Sequence, residues 1–135
     1  MQKNKKPRQI RITVMKMACH QDLIDRYENP LPQPCTMKLG QVFVTEGWDR
    51  PKGFCTSAWD SISPFVMVLA HGGQNIYDGW MKNPRSAMIS CNDGFRPVTF
   101  LLETLEEDSV EQETGMAPPN ETPALPGIRN DDVSS

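Results

Sequence analysis

The chain has 135 residues, of which 38% are hydrophobic, enough for one modest core and hardly for two. Its formal charge of −3 hides an asymmetry, because residues 1–102 carry 13 Lys and Arg against 8 Asp and Glu, whereas residues 103–135 carry 1 against 9. The basic residues are not interleaved with aromatics on one face, so nucleic-acid binding is not expected. The longest apolar run, Phe65 to Ala70, falls far short of the roughly 20 residues that cross a bilayer, so no membrane span is expected either.

The first residues form a basic arm over 1–7, with Lys3, Lys5 and Lys6, and Arg8 and Arg11 extend the cluster. Such a start resembles a signal peptide, but Arg11 and Lys16 interrupt the apolar stretch that follows, which argues against export and for a cytoplasmic location. Ile10, Ile12 and Val14 alternate with Arg11, Thr13 and Met15, the period of a half-buried strand, and Met17 extends it. Asp22 to Tyr27 puts Leu23, Ile24 and Tyr27 on one helical face, and Asn29-Pro30 ends that short helix. Pro30, Pro32 and Pro34 make the next segment extended, delivering Cys35 to a fixed place. Gly40 opens a second strand over 41–45, and a loop from Gly47 to Gly53 carries Trp48.

Ser57 followed by Asp60 resembles a capping arrangement and predicts a helix start, with Trp59, Ile62, Val66 and Leu69 recurring at helical spacing. Pro64, preceded by Ser63, marks a kink or a second start, and Gly72-Gly73 ends the helix. A loop over 74–84 holds Tyr77 and Trp80. A third strand covers 87–91, Asn92-Asp93-Gly94 is a turn signature, and a fourth strand covers 97–102, so the last two strands form a hairpin. The order β-α-β-α-β-β gives an α+β domain over 8–104, with a small, mainly antiparallel sheet packed against one main helix. From 105 to 135 the chain is acidic, proline-rich and short of apolar groups, the composition of a disordered tail.

Four blocks in order resemble a known family. They are Ile12-Thr13-Val14 ahead of Asp22-Leu23; Pro34-Cys35 with Gly40-Gln41-Val42-Phe43; Gly53-Phe54-Cys55 with Ala58-Trp59; and Cys91-Asn92-Asp93-Gly94-Phe95-Arg96-Pro97-Val98. Together they resemble a family of uncharacterised, cysteine-containing small proteins, common in anaerobic bacteria and archaea and known mainly from an automated family model. The resemblance covers residues 10–104. It implies no established reaction; it implies only that Cys35, Cys55 and Cys91 coincide with the family's recurring cysteines. Cys19 does not belong to that set, and Ser90 stands where family members often carry a further cysteine.

The candidate chemistry follows from few residues. Cys19, Cys35, Cys55 and Cys91 lie far apart with no close pairing, which in a chain without an export signal predicts free thiols. No CxxC or HxxxH pair announces a metal site, so the expectation is a domain without cofactor, with zinc or iron on Cys35, Cys55 and Cys91 as the alternative. His71, before the paired glycines, is the candidate acid or base, and Asp60 and Asp93 are the candidate carboxylates. Cys55, His71 and Asp93 together would suit a thiol nucleophile, or lyase or isomerase chemistry. Trp48, Trp59 and Trp80, with Cys91, are candidate walls of an apolar pocket.

The first reading is thus a small cofactor-independent enzyme acting on an apolar organic molecule, of the kind met in specialised metabolism, its pocket completed in a homo-oligomer. The second is a non-catalytic module that binds a metal or a partner protein.

Overall fold

The computed structural model describes residues 6–32 and 35–106. The first five residues of the basic arm and the acidic segment from 107 onward, with its Asn120-Glu121-Thr122 glycosylation pattern, lie outside the described residues. The fold is α+β, with elements β1 (Gln9–Met17), α1 (Gln21–Tyr27), β2 (Val42–Thr45), α2 (Thr56–Ala70), β3 (Ser86–Ser90) and β4 (Val98–Leu105). The four strands form one antiparallel sheet in the order β2-β1-β4-β3.

Ile10, Ile12 and Val14 of β1 point to one face together with Phe43 of β2, Phe100 and Leu102 of β4 and Ala87 and Ile89 of β3, as the cross-strand register requires. α2 covers that face and buries Ala58, Ile62, Val66, Leu69 and Ala70, the helical stripe expected of its spacing. The register of β1 against β4 shifts between Val14 and Lys16. This bulge at Met15 is why Met17 packs against the core, whereas strict alternation from Ile10 would have turned Lys16 inward.

On the other face Arg11 stands directly opposite Glu103, and its Nε and Nη2 donate to Glu103 Oε1 at 3.2 and 3.0 Å. Two buried hydroxyls also have partners, whereas that of Thr104 has none among the described residues. Thr45 Oγ1 donates to Asp49 O at 2.7 Å and accepts from Gly47 N at 3.1 Å, and Ser86 Oγ donates to Asn83 O at 2.7 Å.

Several boundaries differ from the sequence expectation. α2 begins at Thr56 with Cys55 as its N-cap, and no side chain caps it; Ser57 lies inside the first turn and Asp60 beyond it. Ser57 is not the cap because its Oγ is engaged elsewhere, donating to Asn92 Oδ1 at 3.2 Å. Pro64 sits within a single helix rather than starting a second one. β4 runs on to Leu105, whose side chain is buried, and Glu106 pairs with Arg8 and Arg85. Leu105 gains its partner from Gln9 of β1, a pairing no local pattern announces.

A thiol-lined cavity as candidate functional site

Three segments meet where α2 begins. The first carries Cys55. Phe54 is buried, its N–H donates to Pro51 O at 3.0 Å and its carbonyl accepts from Arg50 Nη1 at 2.6 Å, so the turn before the helix is anchored on both sides and Cys55 is held at the N-cap. The second is the stretch after the proline run, where Met37 enters the core and its N–H donates to Cys35 Sγ at 3.4 Å. The third joins β3 to β4. There Asp93 Oδ1 accepts from the N–H groups of Phe95 and Arg96 at 2.8 and 3.2 Å, a side-chain turn that replaces the tight two-residue hairpin. In the same connection Cys91 Sγ accepts from Val98 N at 3.3 Å.

Between these segments lies a cavity of about 160 Å³. Cys35, Cys55 and Cys91 all line it, with Met37, Ala58, Val98 and Phe100 as apolar wall and Ser57, Asn92, Asp93 and Arg96 as polar rim. Two links hold the walls together. Asn92 Nδ2 donates to Ser57 O at 3.3 Å, complementing the Ser57 to Asn92 side-chain bond. Arg96 reaches Glu28, which follows α1, with Nη1 and Nη2 at 3.0 and 2.9 Å from the two carboxylate oxygens. That hydrogen bond is the main reason the guanidinium is held above its ordinary pKa, so Arg96 is a permanent cation. All four cysteines are free thiols, as expected.

The predicted site residues divide cleanly. Cys35, Cys55, Cys91 and Asp93 come together at the cavity. His71 does not. It is the C-cap of the helix whose N-cap is Cys55, and the fifteen helical residues between them set the two about 24 Å apart. Its Nδ1 lies 2.9 Å from Met67 O, closing the last turn.

The constellation of Cys55, His71 and Asp93 is therefore not assembled, because Gly72-Gly73 ends the helix at the far end of the sheet. Asp60 is exposed on the helix surface, outside the cavity. The tryptophans do not line it either. Trp48 is exposed in the loop after Gly47, and Trp80 packs edge-on to Tyr77 at 5.1 Å, which in turn faces Phe65. Trp59 is half-buried against Phe54, itself packed on Phe43 and Phe100.

Arg96, Asn92 and Ser57 complete the rim without having been predicted as site residues. Arg96 and Asn92 lie in the block around Asp93, the one signal that points to them. Among the described residues, no group of three His, Cys, Asp or Glu side chains is placed to hold a metal ion. None of the described helices is long and apolar enough to cross a membrane.

Compared with family models, with curated proteins and with solved structures, the chain matches none.

Proposed function

We propose that the protein is a small enzyme that binds an apolar organic molecule in the thiol-lined cavity and carries out acid–base chemistry on it, of the lyase or isomerase type, with groups of its own chain. The observation that carries this reading is the convergence of Cys35, Cys55, Cys91 and Asp93 on one cavity from segments distant in sequence. A space of about 160 Å³ suits a molecule of about one six-membered ring. Its walls favour the apolar body of such a molecule, and Asn92 and Arg96 offer donors to one polar end. Asp93 is the carboxylate within reach, since Oδ1 is taken up by two backbone N–H groups while Oδ2 has no partner among the described residues. His71 and Asp60 have no part in this chemistry. A homo-oligomer and a cytoplasmic location belong to the same reading; light scattering that finds a strict monomer removes the first.

Cyclohexanone is a suitable probe, being ring-sized with one carbonyl and exchangeable α-protons. Amide shifts should cluster on residues 35–37, 55–58 and 91–96. The protein should also speed exchange of the α-protons with D₂O, and Asp93→Asn should remove that acceleration while keeping the turn, because the Asn oxygen still accepts the two N–H groups. Shifts without exchange would overturn the enzymatic reading and leave a binding module; shifts elsewhere would overturn the site.

The convergence of three thiols also favours a second reading, a non-catalytic module holding zinc or iron through Cys35, Cys55 and Cys91. It requires rearrangement, since these side chains do not stand in a metal-holding group. Titration with Co²⁺ tests it: thiolate-to-cobalt absorption that disappears when the three cysteines are changed to Ser would support this reading over the first.

A further inference from the structure

The three cavity thiols are not equivalent. Cys35 Sγ accepts the N–H of Met37 and Cys91 Sγ accepts the N–H of Val98, so both sulfurs are tied to their own backbone. Cys19, outside the cavity, bonds Gln21 Oε1 at 3.7 Å. Cys55 Sγ has no hydrogen bond among the described residues. It also stands at the N-cap of a fifteen-residue helix that no side chain caps, beside Ser57 and Ala58, which line the same cavity. The cavity sets it apart from an isolated thiol: among the described residues it is the one thiol without a hydrogen bond that lines a space large enough for a ring.

Resting on the reading of this cavity as a ligand site, we propose that Cys55 is a covalent-attachment site for small α,β-unsaturated carbonyl compounds. The thiol adds across the conjugated double bond. A bond forms between Sγ and the β-carbon, the π pair moves to the α-carbon and carbonyl as an enolate, and the proton released by the thiol ends on the α-carbon. No bond to a leaving group breaks, and nothing is oxidised or reduced.

The surroundings match each stage. Met37, Val98 and Phe100 hold the ring, and the Asp93 carboxylate carries the proton from sulfur to carbon. Negative charge develops on the carbonyl oxygen, where the helix N-terminus and the Arg96 guanidinium supply positive potential.

The test is intact-mass analysis of the full chain with 2-cyclohexen-1-one, followed by peptide mapping, with cyclohexanone as the unreactive analogue. One adduct of the enone's mass is expected, located on Cys55 and formed at least about tenfold faster than on Cys19, with a rate that saturates as enone concentration rises. Cys55→Ser should abolish it and still fold, because Ser is a preferred N-cap. Cys35→Ser and Cys91→Ser should retain it.

Modification of Cys19 as fast as Cys55, or a main adduct on Cys35 or Cys91, overturns the proposal. Cyclohexanone shifts at the cavity without an enone adduct overturn this inference alone and leave the ligand site standing. Absence of both removes the two together.

Discussion

Arg96 and Glu28, 68 residues apart in sequence, are joined by a two-pronged ion pair that ties the connection between β3 and β4 to the end of α1. Two backbone bonds run beside it, from Ala18 N to Pro97 O at 2.9 Å and from His20 N to Phe95 O at 2.8 Å. The end of α1 and the turn bearing Cys91 and Asp93 are thereby fastened to each other, which fixes one wall of the cavity. Glu28→Gln keeps the side chain's size and removes the charge. Hydrogen exchange at the amides of Ala18 and His20 is expected to quicken several-fold, while exchange in β1 and β4 stays unchanged. Equal protection in the variant would show that the backbone bonds alone hold this seam.

Phe54 joins the core to the site. Its ring packs at 4.9 Å on Phe43, 5.2 Å on Phe100 and 6.0 Å on Trp59, while its carbonyl takes the Arg50 guanidinium just before Cys55. Phe54→Ala is expected to cost about 3–5 kcal/mol, read from the shift of the urea midpoint. Trp59→Ala should cost less, since its indole is only half-buried and the cavity lies beyond Phe54. The reverse order would place the centre of the cluster at the tryptophan.

The strands and α2 were legible because their apolar spacing is local. Ile10, Ile12 and Val14 announce β1, and Ile62, Val66 and Leu69 announce the buried stripe of α2. What failed was position along the helix axis. His71 and Cys55 both flank α2 in sequence and both carry reactive groups, yet spacing says nothing of which end of the sheet each reaches, and the helix's own length separates them. The cap was misplaced for a related reason: Ser57 has the right chemistry, but its hydroxyl is drawn to Asn92, 35 residues away. The tryptophans misled because exposure in a glycine-flanked loop is as compatible with solvent as with a ligand. Cys35, Cys55 and Cys91 line one cavity although no ligand spacing joins them in the sequence.

Gly47 and Gly53 bound the same loop, and both adopt left-handed backbone, with φ of +112° and +82°. Their surroundings differ. A methyl group on Gly47 would lie 2.7 Å from Ala70 Cβ, in the last turn of α2, whereas one on Gly53 would meet nothing within 4 Å. Gly53→Ala should therefore cost only the conformational strain, about 1 kcal/mol. Gly47→Ala adds an overlap with a side chain that cannot swing away, and about 2–4 kcal/mol is expected. Thermal or urea unfolding of the pair measures this, and equal losses would mean that Ala70 yields without cost.

His71 and Asp93 provide the sharpest contrast, since the sequence pairs them and the fold sets them at opposite ends of α2. The His71 ring closes the last turn through Met67 O and lies on the surface, so His71→Ala should lower stability by no more than about 1 kcal/mol. Its effect on α-proton exchange of cyclohexanone should stay within about twofold. Asp93→Asn should do the opposite, keeping the unfolding midpoint through the retained turn while the catalysed exchange disappears. Both variants are read in the same NMR experiment, with amide shifts reporting binding and loss of α-proton signal reporting turnover. If His71→Ala abolished exchange with binding intact, the proton would be moved at the C-terminal end of α2, and the thiol-lined cavity would be a binding surface for chemistry done elsewhere.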